Sequence, residues 1–181
     1  MIRGGTLFDG TGSPGVEGDL GVSGGRITAM GPRIAERGTE EIDARGLAVA
    51  PGFVDLHSHG DGSINDDPRM ESVVRQGITT IVAGQDGSSR ATGRPSREDQ
   101  GEASSFADLF RSSDALKPAV NVASMVGLGS VRARVVGAGD RPATPDELRV
   151  MTAMVESALV DGACGASSGL EYTPGAFASG A

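Results

Sequence analysis

The sequence predicts an α/β protein: a small β module over residues 1–46, then, over residues 47–181, the opening strands and helices of a parallel sheet or barrel. Three observations carry this. The first 46 residues hold short β-type runs punctuated by glycines, the later residues alternate apolar strands with capped helices, and the switch between the two patterns falls near Gly46.

In the first segment, Gly4-Gly5-Thr6-Leu7-Phe8-Asp9-Gly10, Asp19-Leu20-Gly21-Val22 and Arg26-Ile27-Thr28-Ala29-Met30 read as strands. Residues 48–56 are a nearly continuous apolar run, as expected of a strand buried on both faces. Asp67 then suits a helix N-cap, with Pro68 at the first helical position, Met70, Val73 and Val74 enclosed, and Gly77 as the stop. Residues 78–83 make a second strand, and a helix starting at Ser105 carries Phe106, Leu109 and Phe110 inward. Between them, residues 84–104 are polar and glycine-rich; a substrate-facing loop and a surface insert both stay open for a connection of that length. Residues 119–126 are the third strand. The clearest helix follows: Thr144-Pro145-Asp146-Glu147 is a capping box, and Leu148, Met151, Val155 and Leu159 recur at helical spacing until Gly162. Residues 163–170 form a fourth, small-residue strand before Thr173-Pro174-Gly175 breaks the pattern.

Composition narrows the partners. With 181 residues, 38% of them hydrophobic, and 29 glycines, the chain can bury one substantial core with many tight turns. A net charge of −8 and no basic patch argue against nucleic acid, whose recognition displaces counterions with clustered Lys and Arg. No apolar run approaches the roughly 18 residues of a membrane helix, and the start Met1-Ile2-Arg3-Gly4-Gly5 lacks the apolar stretch of a secretory signal. A lone Cys164 forms no internal disulfide, so a soluble protein of the reducing cytoplasm is expected, with Cys164 a buried, inert thiol.

The chemistry concentrates at His57 and His59, the chain's two histidines. They stand two residues apart at a predicted strand end. Because side chains alternate along a strand, residues i and i+2 point the same way and can bring two imidazole nitrogens to one ion. His-x-His alone is a weak signal. Asp55, two residues upstream, can serve as an orienting acceptor or as an ordinary polar strand-end residue.

The complete segment Val49-Ala50-Pro51-Gly52-Phe53-Val54-Asp55-Leu56-His57-Ser58-His59-Gly60-Asp61 resembles the first barrel strand of the amidohydrolase superfamily. Three further segments, 77–87 (Gly77-Ile78-Thr79-Thr80 to Gln85-Asp86-Gly87), 126–132 (Val126-Gly127-Leu128-Gly129-Ser130-Val131-Arg132) and 162–175 (through Ser167-Ser168-Gly169-Leu170-Glu171-Tyr172), are similar in order to the N-acyl-D-amino-acid deacylase (D-aminoacylase) family. That resemblance implies an incomplete (β/α)8 TIM barrel, about its first four strands, behind part of a small β-sandwich module. It also implies a divalent metal, zinc foremost, and a small-molecule N-acylated D-amino acid as substrate. His57 and His59 then ligate the metal. Asp86 stands where the family has a ligating cysteine, a hard carboxylate in place of a soft thiolate. Glu171 lies where relatives place a carboxylated lysine and is expected to bridge or ligate. Arg132 and Tyr172 match positions near the substrate, as partners for a carboxylate and a hydrogen-bond acceptor.

Two departures matter. Leu128 replaces a family histidine. The family also continues for four more strands, which carry two further histidine ligands and the aspartate that serves as general acid/base, so no catalytic acid/base is expected within residues 1–181. A barrel alone takes roughly 250 residues. The chain is therefore expected to be inactive by itself, an open half-barrel with an exposed apolar edge, completed by a complementary C-terminal chain in a split enzyme or left as a non-catalytic remnant. A dihydroorotase- or hydantoinase-like cyclic amidase is the alternative enzyme; the absence of lysine at Glu171 favours the deacylase.

Overall fold

The paired glycines Gly24 and Gly25, both left-handed (φ 56° and 72°), close the hairpin between Val16–Ser23 and Arg26–Gly31, as a two-residue turn matching the strand twist requires. In the computed structural model, which describes residues 1–93 and 105–179, the chain divides into two units, Met1–Gly52 and Phe53–Ala181. In the first unit β1 (Ile2–Leu7) pairs antiparallel with β2 (Val16–Ser23), which pairs antiparallel with β3 (Arg26–Gly31). The short strands β4 (Ile42–Asp43) and β5 (Ala48–Val49) run parallel to β1 on its other side. The polar centre of this unit is Asp19, whose carboxylate accepts from Gly4 N–H (2.9 Å), Ile34 N–H (3.0 Å) and the Arg3 guanidinium (3.0 Å). These contacts hold its carboxyl below the usual range, the backbone N–H groups first.

The run 48–56 is not one strand. Pro51 lacks an N–H and Gly52 follows it, so the ladder breaks after β5 and restarts as β6 (Phe53–Asp55). The division consequently falls six residues beyond Gly46, because Ala48 and Val49 pair with Thr6 and Leu7 of β1.

In the second unit β6, β7 (Ile78–Ala83) and β8 (Asn121–Ser124) form a parallel sheet in that order. The helical segment after β6 starts earlier than the Asp67-Pro68 signal suggests. Helix α1 is Ser63–Asp66, and Asp67, preceding a proline, leaves helical geometry (φ −139°, ψ 85°) and ends it. Helix α2 (Glu71–Val74) begins after a left-handed Met70. Met70 is buried with Ile64, Ile81 and Val120, Val73 packs against them, and Val74 is exposed. Gly77 (φ 79°) turns the chain into β7, whose bounds match the sequence expectation.

Helix α3 (Phe106–Leu116) starts where Ser105 Oγ accepts from Asp108 N–H at 3.1 Å, and it buries Phe106 completely. The third strand stops at Ser124; β9 (Val126–Gly127) leaves that sheet to pair with β10 (Ala166–Ser167), the only two residues of the expected fourth strand in a ladder. Cys164 lies before β10 and is exposed, while its neighbour Ala163 takes the inward position, so the thiol is not a core residue. Between β9 and β10 stand α4 (Leu128–Val135), which the sequence reading lacked, and α5 (Pro145–Val160). Phe106, Val126, Val131, Met154 and Ala158 form the shared core. On the edge strand β6, Phe53 and Val54 are exposed, an apolar edge of the kind expected for this topology. Among the described residues no helix is long and apolar enough to cross a membrane.

The α5 cap is complete: Thr144 Oγ1 accepts from Glu147 N–H, and Glu147 accepts from Thr144 N–H (2.8 Å) and from both terminal nitrogens of Arg141 (2.8 and 2.7 Å). The Arg141 contact, then the Thr144 N–H, holds the Glu147 carboxyl down at about 2, from an ordinary 4.5. A depressed carboxyl contributes stability that is full above its unfolded value and lost as the pH falls through its folded one. Glu147→Gln is therefore expected to lower the urea midpoint at pH 7, and the gap from wild type to close between pH 4.5 and 2; a gap independent of pH excludes this role.

Candidate metal centre

The site grows out of how β6 and β7 end. Beyond β6 the chain bends at Leu56 and His57, and Ser58 N–H donates to Val82 O (3.1 Å); Ser58 is buried while His57 and His59 are exposed. Asp55 Oδ1 accepts from the His57 backbone N–H (3.1 Å) and fixes the backbone, not the ring. At the end of β7 three residues adopt left-handed backbone: Gly84 (φ 75°), Asp86 (φ 52°) and Gly87 (φ 76°). Asp is among the few residues that tolerate this geometry. Gly84 has no substitute, because a Cβ there would lie 2.0 Å from Met125 O.

This reversal brings Asp86 back over the histidines. His57 Nε2 and His59 Nε2 each lie 3.2 Å from Asp86 Oδ2, and the imidazole rings stand edge to face with centroids 5.4 Å apart. Ligand atoms at about 2.0–2.1 Å from one tetrahedral ion are about 3.3–3.4 Å apart. The two histidine–carboxylate separations are thus close to those that a shared divalent ion imposes, all three ligand atoms lie within 4.8 Å of one another, and nitrogen with carboxylate oxygen is a donor set zinc accepts.

Serine hydroxyls hold the loop that carries Asp86. Ser167 Oγ on β10 donates to Gly84 O (2.5 Å) and accepts from Gly87 N–H (3.1 Å), bracketing Asp86. Ser130 Oγ accepts from Ser89 N–H (3.0 Å), and Ser89 Oγ accepts from Gly127 N–H (2.9 Å). Residues 84–93 are therefore built into the site, whereas the expectation for residues 94–104 lies outside the described residues. The buried Gln85 donates to Leu56 O and Val82 O, both at 2.8 Å. Sequence reasoning missed Gln85, Ser89, Ser130 and Ser167; none carries a local signal, since each acts through a contact distant in sequence.

The other expected site residues fall differently. Tyr172 lines a cleft of about 420 Å³ together with His59, Gln85, Asp86, Ser130 and Gly169. Glu171 is exposed and stays outside the group of mutually close ligand atoms. Arg132 is not available to a substrate carboxylate: it is buried, and its guanidinium donates to Pro174 O (3.0 Å), Arg141 O (2.6 Å) and Gly139 O (3.3 Å). Helix α4 turns it inward, against the chain segments it ties together. Leu128, where the resemblance has a histidine, is exposed at the start of α4.

Two imidazoles and a carboxylate gathered at the C-terminal ends of adjacent parallel strands define a candidate metalloprotein of the α/β class. The sequence profile of the amidohydrolase family matches residues 40–167, and the chain belongs to that family. It is 40% identical to the N-acyl-D-aspartate deacylase of Alcaligenes xylosoxydans xylosoxydans over 98% of its length and 38% of that protein's. A crystal structure of D-aminoacylase superposes with TM-score 0.87 at 39% identity, over 98% of this chain and 40% of that one. The N-acyl-D-glutamate deacylase from Bordetella bronchiseptica, solved with zinc and a phosphonate mimic of the tetrahedral intermediate, gives TM-score 0.86 at 34% identity over the same shares. The chain thus spans about two fifths of the length of these relatives.

Gly169 is the closest backbone approach to the site: a Cβ there would meet Asp86 O at 2.0 Å. Gly169→Ala is expected to cost about 1–3 kcal/mol by overpacking and to displace Asp86, seen as a lowered urea midpoint together with weaker metal binding. Wild-type values for both measurements exclude this packing role.

Proposed function

We propose that this chain supplies the metal-binding side of an enzyme that hydrolyses the amide bond of N-acyl-D-amino acids, releasing a carboxylic acid and a free D-amino acid. The observation that carries the reading is the convergence of His57, His59 and Asp86. We read the parallel order β6-β7-β8 as the first strands of a (β/α)8 barrel, and residues 1–52 as part of a β-sandwich module. Cytoplasmic residence accords with the unpaired Cys164.

A divalent ion in this centre, zinc by the donor set and by the Bordetella relative, supplies a Lewis acid that polarises an acyl oxygen and acidifies water. His57, His59 and Asp86 would hold the ion, and Asp55 restrains the His57 backbone. The Tyr172 phenol, on the wall of the same cleft, donates a hydrogen bond to bound substrate. Glu171 is assigned to the site as an additional carboxylate, on the support that the flanking Gly169 and Tyr172 line the cleft. The relatives' activity belongs to proteins of which the segment matched here is about two fifths, and the active enzyme includes the counterpart of the rest.

Titration of the purified chain with Zn²⁺ is expected to reveal a site that His57→Ala, His59→Ala or Asp86→Ala each weakens at least tenfold; wild-type affinity in all three variants refutes the centre. Glu171→Ala is expected to weaken binding less, and unchanged affinity and stoichiometry remove Glu171 from it. The substrate assignment is tested by a chimera in which this chain replaces the matching segment of the N-acyl-D-aspartate deacylase. Release of D- but not L-amino acid from N-acetyl substrates, abolished by His57→Ala, is the expected result. A metal-loaded chimera that cleaves neither enantiomer contradicts it.

A further inference from the structure

The two ligand-bearing strand ends are joined by a side chain that touches neither histidine nor the Asp86 carboxylate. Gln85 Nε2 donates at 2.8 Å to Leu56 O, the peptide oxygen next to His57, and at 2.8 Å to Val82 O. Val82 O also accepts from Ser58 N–H at 3.1 Å, so one oxygen gathers the end of β7, the residue between the histidines and the amide. A primary amide has two N–H donors on one nitrogen, and both are used. Gln85 is itself buried, where donors without partners are costly, which keeps both bonds made. It immediately precedes Asp86, so the residue that closes the gap between the strands is peptide-bonded to the one that bears the third ligand.

We propose that Gln85 is a positioning residue for the metal centre: by bridging Leu56 O and Val82 O it sets the distance between the His57–His59 segment and Asp86. This rests on the reading of those three residues as metal ligands. β6 contributes only Phe53–Asp55 to its ladder, and the histidines lie two and four residues past its end. Beyond Asp55, the links between this segment and β7 are the Ser58 N–H bond and the Gln85 amide. Without the amide, the segment keeps one backbone bond to β7 and the ligand separations widen.

The test is a Co²⁺ titration of the 181-residue chain, followed by visible absorption and by chelator competition, on wild type, Gln85→Met, His57→Ala and Asn121→Ala. Gln85→Met keeps the length and removes both donors. Asn121 also ties a side-chain amide to β7, donating to Thr79 O at 3.1 Å, but at the strand's far end, so it controls for general loosening. Gln85→Met is expected to bind Co²⁺ about 10–100-fold more weakly, the range for groups that orient ligands, with an altered absorption band, while Asn121→Ala keeps wild-type affinity and band. Wild-type affinity in Gln85→Met, with His57→Ala still impaired, overturns the positioning role and leaves the ligand assignment standing. Equal weakening in Gln85→Met and Asn121→Ala also overturns it. Wild-type chain that binds no better than His57→Ala overturns the ligand assignment itself, and this role with it. Should Gln85→Met not fold, Gln85→Glu decides: it retains the shape, loses the donors and adds a negative charge that attracts cations, so weaker binding despite that charge supports the proposal and undiminished binding refutes it.

Discussion

The structure depends most on four residues, 84–87, where β7 ends and the chain must double back. Three of them are left-handed, and the stretch is enclosed by backbone: Met125 O stands where a Cβ on Gly84 would go, and Asp86 O where a Cβ on Gly169 would go. Such packing is possible only where the residue pressed against the carbonyl oxygen is a glycine. It lets β9, β10 and the start of α4 close around the loop, with Ser167 satisfying Gly84 O and Gly87 N–H of the reversal, and Ser130 and Ser89 tying the residues that follow it to α4 and β9. Asp86 reaches the histidines because this reversal is held from several directions.

What the sequence made legible follows from how local each signal is. Strand β7 and helices α3 and α5 are marked by residues inside or next to them: a glycine stop, a serine N-cap, a capping box. Helix α4 has no such marks, opening on Gly127 without a side-chain cap and holding Gly129 in its first turn, so its helicity comes from burying Val131 and Arg132. At Asp67-Pro68 two rules competed. Proline's tolerance of a first helical turn lost to its restriction of the preceding residue, and the proline terminates α1 instead of starting a helix.

The candidate site shows the same division. His57 and His59 were readable because the shared direction of residues two apart at a strand end is a local rule; past β6 the chain bends, and the Ser58 N–H bond to Val82 O keeps the segment beside β7. Asp86 was readable only through family resemblance, since nothing nearby in sequence tells that a left-handed turn will aim it at residues 29 positions upstream. Arg132 was misread for a related reason. Its burial and its three carbonyl partners arise from segments at 139–141 and 174, and a charge-recognition role and a loop-tying role look identical in sequence.

Exposure sets how such a centre can gain affinity. The side chains of His57 and His59 are 61% and 64% exposed and that of Asp86 38%, so the attraction between cation and carboxylate is weakened by water and salt rather than amplified by a dry interior. Little desolvation cost opposes binding either. With the electrostatic gain moderated, the remaining source of affinity is geometry fixed in advance. Each ligand-bearing segment accordingly has its own restraint: the Asp55 carboxylate on the His57 N–H, Ser167 on both sides of Asp86, and Gln85 across the gap between the two strand ends. Restraints of this kind lower the entropy lost on binding, so a solvent-open centre needs them more than a buried one does. Glycines 84, 87 and 169 and serines 89, 130 and 167, residues without metal chemistry of their own, accordingly crowd the backbone behind the three candidate ligands.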